Sequence, residues 1–91
     1  MAKTKSLPET VTELLQGQAI TPADLDAAVD AFLIDPKIGL FEVAPGRQVD
    51  LTAAVRADRH ATAILTEPTA RAGSRRAAVR SAILLARSVK N

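Results

Sequence analysis

The run Ser74–Asn91, SRRAAVRSAILLARSVKN, limits the possible folds more than any other stretch of this chain. Read as a helix, it places Ala78, Val79, Ala82, Leu85, Ala86 and Val89 along one stripe, but Ile83 and Leu84 fall outside that stripe. A helix that is apolar on more than one side must be wrapped by other elements or must offer a second apolar face to a partner. The same run has no acidic residue, and Arg76, Arg80 and Arg87 lie together beside the stripe. Its start is set either at Ser74 or at Thr69; the longer version runs through Gly73 at a cost of about 1 kcal/mol.

The elements that would do the wrapping are written in helical periods. Ser6-Leu7-Pro8-Glu9 has the form of a capping box, and Leu7, Val11, Leu14 and Leu15 follow on one face, so a first helix is predicted over Pro8–Gln16 with Gly17 as its stop. Thr21-Pro22-Ala23-Asp24 opens a second helix, with Thr21 as cap and Asp24 at the positive end of the dipole. Leu25, Ala28, Val29, Phe32 and Leu33 form its apolar stripe, and Asp35-Pro36 ends it, because the residue before proline avoids the helical region.

Between Lys37 and Asp50 the helical period is lost. Pro45-Gly46 reads as the centre of a type II turn between Leu40–Val43 and Gln48-Val49, which makes a short ribbon with Phe41 and Val43 facing the core. Asp50 then caps a third helix predicted over Leu51–Thr66, with Leu51, Ala54, Val55, Ala61, Thr62 and Leu65 as its stripe. Asp58 falls inside that stripe, where an unpaired carboxylate is costly; it has to be exposed or to meet an arginine. The fold class expected is mainly α: a single domain over residues 1–91, a small bundle of about four helices with a short ribbon between the second and third, and a basic arm at residues 1–5.

Composition narrows the chemistry. With 91 residues, roughly 60–65% of the unfolded surface is buried, so the core is small. Aromatic residues are limited to Phe32 and Phe41, and there is no cysteine, which removes disulfides and thiolate metal sites. Met-Ala-Lys is followed by no apolar stretch, so neither a signal peptide nor a membrane span is expected. The setting expected is cytoplasmic, or a virion component if a phage encodes the chain, since eight Arg to four Lys and abundant alanine fit a GC-rich bacterial or phage genome.

Charge is graded along the chain. Residues 1–35 carry two Lys and six acidic residues, residues 36–70 balance four against four, and residues 71–91 carry six basic residues and no acid. Such a gradient points the basic end at something anionic, either a partner or the chain's own acidic half. His60 is the only histidine and lies in a polar run, and Asp24, Asp26 and Asp30 are spaced as a helix face, so no catalytic pair is indicated. One His without Cys does not make a zinc site, and the four scattered glycines do not make a phosphate loop; no cofactor is expected.

Arg75, Arg76, Arg80 and Arg87 are the candidate contacts for a partner or an anion. If Ser74 is the cap, Arg75 and Arg76 sit at the positive end of the helix, which is locally unfavourable and marks them for a role. The function expected is a non-catalytic interaction or assembly protein that docks through its basic C-terminal helix to a protein partner or to itself. The alternative is a nucleic-acid-binding accessory protein that sets the same arginines, with Lys3 and Lys5, on phosphates. The absence of aromatic anchors speaks against a membrane-surface role, and no small-molecule substrate is indicated.

Overall fold

The computed structural model describes residues 9–90; the expected basic arm, and Ser6, Leu7 and Pro8 of the expected capping box, lie outside them. The described residues form five helices and three strands: α1 (Val11–Gln16), α2 (Pro22–Ile34), β1 (Leu40–Ala44), β2 (Arg47–Asp50), α3 (Leu51–Ala57), α4 (Arg59–Thr66), α5 (Ala72–Leu85) and β3 (Val89–Lys90). The fold is mostly helical with a small antiparallel sheet, as the periodicity indicates. The helices number five because the expected third one is broken.

Local chemistry explains the beginnings of these elements. Thr21 caps α2 by accepting from the Asp24 amide at 3.1 Å, and the Asp24 carboxylate accepts from the Thr21 N–H at 2.8 Å. α1 uses the same device further along the chain than expected: Thr10 and Glu13 make the reciprocal pair, so the helix starts at Val11 and not at Pro8. Glu9 belongs elsewhere, with its carboxylate 2.8 Å from the Arg47 guanidinium. Gly46 takes a φ of +76°, the positive value that a type II turn demands after Pro45, and β1 and β2 pair across it. The register slips between Glu42 and Ala44; Val43 is buried and Phe41, on the same side of the strand, is half-buried.

Asp58 is where the helix expected over Leu51–Thr66 breaks. Its backbone is extended, at φ −97° and ψ 109°, its N–H closes α3 on the Val55 carbonyl, and its carboxylate accepts from the Ala61 amide at 2.9 Å to open α4. The carboxylate inside the apolar stripe is therefore satisfied by backbone amide and not by an arginine. Short acidic side chains compete for nearby amides and favour such caps over helix interiors. The Thr62 hydroxyl donates to the Val55 carbonyl across the break at 3.3 Å.

α5 packs against all four other helices. Ala78, Val79, Ala82 and Ile83 are buried on it and join Val11, Leu14, Leu25, Val29, Leu51 and Val55 in one core. Ile83, expected outside the main stripe, lies one turn from Val79 and is fully buried with it, whereas Leu85, expected on the stripe, is exposed. Leu33 marks the limit of the α2 stripe and is exposed.

The last helix ends at Leu85, not at Asn91. Ala86 is extended, Arg87 bridges Thr10, and Val89–Lys90 joins the sheet beside β2. Arg87 thus leaves the helix face on which it was expected beside Arg76 and Arg80. No glycine or proline marks the stop. It is tertiary: the Thr12 hydroxyl donates to the Leu84 carbonyl at 2.7 Å, and the Val11 N–H, an orphan donor at the start of α1, donates to the Ala86 carbonyl at 2.9 Å. Ser88 is buried, and its N–H and hydroxyl both donate to the Glu9 carbonyl.

Two measurements check this account. Asp58→Ala should lower stability by about 1 kcal/mol through loss of the α4 cap, which is about 4–8 °C in melting temperature for a domain of this size, and Asp58→Asn should recover most of it; equal losses in both variants would contradict the cap. The Thr10 N–H holds the Glu13 carboxyl below the ordinary glutamate range, against a smaller desolvation effect, and the Thr10 hydroxyl and the Arg87 charge act in the same direction as the N–H. The unfolded chain then binds the proton more readily, so this contribution is present above the ordinary glutamate pKa and fades as pH falls through the lowered value. Glu13→Gln should flatten that acid limb of a stability-versus-pH curve, and an unchanged limb would contradict it.

Candidate interaction surface

The four arginines singled out by the sequence do not converge. α5 begins at Ala72, capped by the backbone of Arg71 without a side-chain hydrogen bond, so Arg75 and Arg76 lie beyond its first turn. This removes most of the conflict with the helix dipole, which acts mainly in the first turn. Arg75 turns back on the connection between α4 and α5, donating from Nε to the Ala70 carbonyl at 3.2 Å and from Nη2 to the Glu67 carbonyl at 3.1 Å. It closes the loop after Glu67-Pro68.

Arg76 meets the acidic face of α2. It donates to the Asp30 carboxylate and lies 3.8 Å from that of Asp26. The hydrogen bond to Asp30 raises the Arg76 pKa further above its ordinary value, against a smaller desolvation effect; the negative charges of Asp30 and Asp26 add to it. Arg80 is exposed and makes no ion pair among the described residues. Arg87, on the extended tail, is close enough to Glu13 for its charge to act there.

His60 is exposed on α4, and no three His, Asp or Glu side chains come together as metal ligands among the described residues. The acids are largely engaged with backbone: Asp24, Asp50 and Asp58 cap α2, α3 and α4, and Asp35 accepts from the Lys37 N–H.

A groove opens on the side of the molecule where α2, α3 and α4 meet, with a volume of about 280 Å³. Phe32 and Val55, both buried, and half-buried Leu65 form its floor, and exposed Lys37 and Arg56 stand among its lining residues. A second, more open hollow of about 510 Å³, lined also by Gly39, Asp50 and Ala53, adjoins it, and Lys37, Thr52 and Arg56 border both. Thr52 ties its walls together, donating to the Pro36 carbonyl at 2.9 Å and accepting from the Gly39 N–H at 3.0 Å. Lys37 and Arg56 were not singled out from the sequence. They are 19 residues apart in the chain, and the Thr52 clasp, with the Leu51 N–H donating to the Gly39 carbonyl at 2.9 Å, holds the two segments together.

No family model matches this chain, and no curated protein and no solved structure matches it significantly.

The ion pair on α2 gives a direct check. Arg76→Ala should lower the melting temperature, and raising salt to about 1 M should shrink the difference, because the pair is partly exposed and open to screening. Arg80→Ala should leave melting unchanged. Equal effects from the two substitutions would contradict the separation of a paired from an unpaired arginine.

Proposed function

We propose that this chain is a non-catalytic interaction domain, an accessory or structural subunit that works by docking to a protein. α5 is the support on which the docking surface is built. The observation that carries this reading is the exposure of large apolar side chains where α2 ends and β1 begins: Ile34 is 84% and Leu40 56% exposed, and Leu33 lies beside Ile34 in the chain. A small domain with a small core gains nothing for its own fold by showing these residues to water, and their nearness in the chain makes this end of α2 the best candidate for an apolar contact. Leu85, 72% exposed on α5, offers a smaller contact on another element.

The basic helix contributes less to docking than its composition indicates. Arg75 and Arg76 are engaged within the fold, which leaves Arg80 as the exposed cation of α5 without an ion pair among the described residues. Phosphate binding by these arginines therefore has weaker support than protein docking.

Tagged protein purified from its own host at low salt should carry a partner, or its mass in sedimentation should rise with concentration. Ile34→Ser/Leu40→Ser should abolish that association and leave the melting temperature within a few degrees of the parent. A monomer at all concentrations with no co-purifying protein contradicts the proposal. Retention of a DNA duplex at low salt, lost steeply as salt rises, would favour the phosphate reading instead.

A further inference from the structure

We propose that the groove between α2, α3 and α4 seats an acidic segment of a partner protein with large apolar side chains, held by Lys37 and Arg56. This rests on the interaction reading and names the chemistry of its partner. Size comes first. About 280 Å³ is room for a few apolar side chains and falls just below the range of pockets that enclose a drug-sized ligand. The adjoining hollow beside Thr52 and Gly39 leaves room for the rest of such a segment.

Polarity comes second. Each hydroxyl in the groove already donates within the fold: Thr52 to the Pro36 carbonyl, Thr62 to that of Val55, and Thr66 to those of Thr62 and Ala63. The walls offer few free hydrogen-bond donors besides the two cations, so a sugar or other highly polar ligand would leave its own groups unpaired. Apolar anchors on Phe32, Val55 and Leu65 are what the floor accepts.

Charge comes third. Lys37 and Arg56 make no ion pair among the described residues, and the acids nearest in sequence, Asp35, Asp50 and Asp58, are engaged by backbone N–H groups. Lys37 and Arg56, without an ion pair beside an apolar floor and outnumbering Asp50 on the adjoining hollow, favour carboxylates flanking the anchors. The chain's own first eight residues carry Lys3 and Lys5 and no acid, the wrong sign for this site. A second copy is also a poor occupant, since the acids on its α2, Asp26 and Asp30, are engaged by Arg76.

The test is selection of displayed random peptides of about seven residues on the intact protein, followed by titration of the synthetic winner into isotope-labelled protein. Enriched peptides should combine Asp or Glu with Leu, Ile or Phe, and should shift the amide resonances of Phe32, Lys37, Thr52, Arg56 and Leu65. Lys37→Glu/Arg56→Glu should weaken binding about tenfold or more with unchanged melting, and Thr66→Phe, which fills the groove with a side chain of this chain, should abolish it. Winners without acids, or shifts confined to Leu33, Ile34 and Leu40, would overturn this inference and leave the interaction reading standing. No enrichment, or binding of anionic vesicles or duplex DNA in place of peptides, would also overturn it.

Discussion

Ala78, Val79, Ala82 and Ile83 form one buried face of α5, with Val79 and Ile83 a turn apart and both fully buried. Burial of a large aliphatic side chain is worth about 1.5–3 kcal/mol, and a chain this short has few such side chains to use. The other four helices are therefore arranged around α5, and much else follows from that arrangement. α2 lies against it with its acidic face towards Arg76, and Arg75 fastens the turn that delivers the chain into it. Arg75 and Arg76, two of the four arginines that look like an interaction surface in the sequence, become part of the frame.

The same packing decides where α5 stops. Helix ends leave backbone groups without partners, and here two ends answer each other: α1 brings the Val11 N–H and the Thr12 hydroxyl to the carbonyls of Ala86 and Leu84. The chain then runs extended past Thr10, is held by Ser88 on the Glu9 carbonyl, and reaches β2, whose Arg47 also pairs with Glu9. Both termini of the described chain are fastened at one place.

What could be read from the sequence was what a few neighbouring residues decide. Thr21-Pro22-Asp24, Asp35-Pro36 and Pro45-Gly46 fix a start, a stop and a turn through their own geometry, and all three stand where the residues place them. Asp58 was legible as an anomaly but not as a break, because a carboxylate in a helical stripe can be resolved by exposure, by an ion pair or by a cap, and only the fold chooses among them. The end of α5 could not be read, since Ala86 and Arg87 continue the helical period and distant groups on α1 stop it. The groove was hidden for a related reason: Phe32, Lys37, Arg56 and Leu65 share no period, and they meet through the packing of α2, α3 and α4 and the bonds of Thr52 and Leu51 to the Pro36–Gly39 segment.

On this account α5 is the most protected part of the molecule, and the docking we propose falls on the surface formed by α2, α3, α4 and the start of β1. Native-state amide hydrogen exchange separates this from a C-terminal helix held open for a partner. The amides of Val79, Ala82 and Ile83 should exchange only through global unfolding, with the slowest rates in the chain. Exchange of those amides by local opening, faster than at Leu25–Val29 of α2, would contradict the claim that α5 is the frame on which the rest is built.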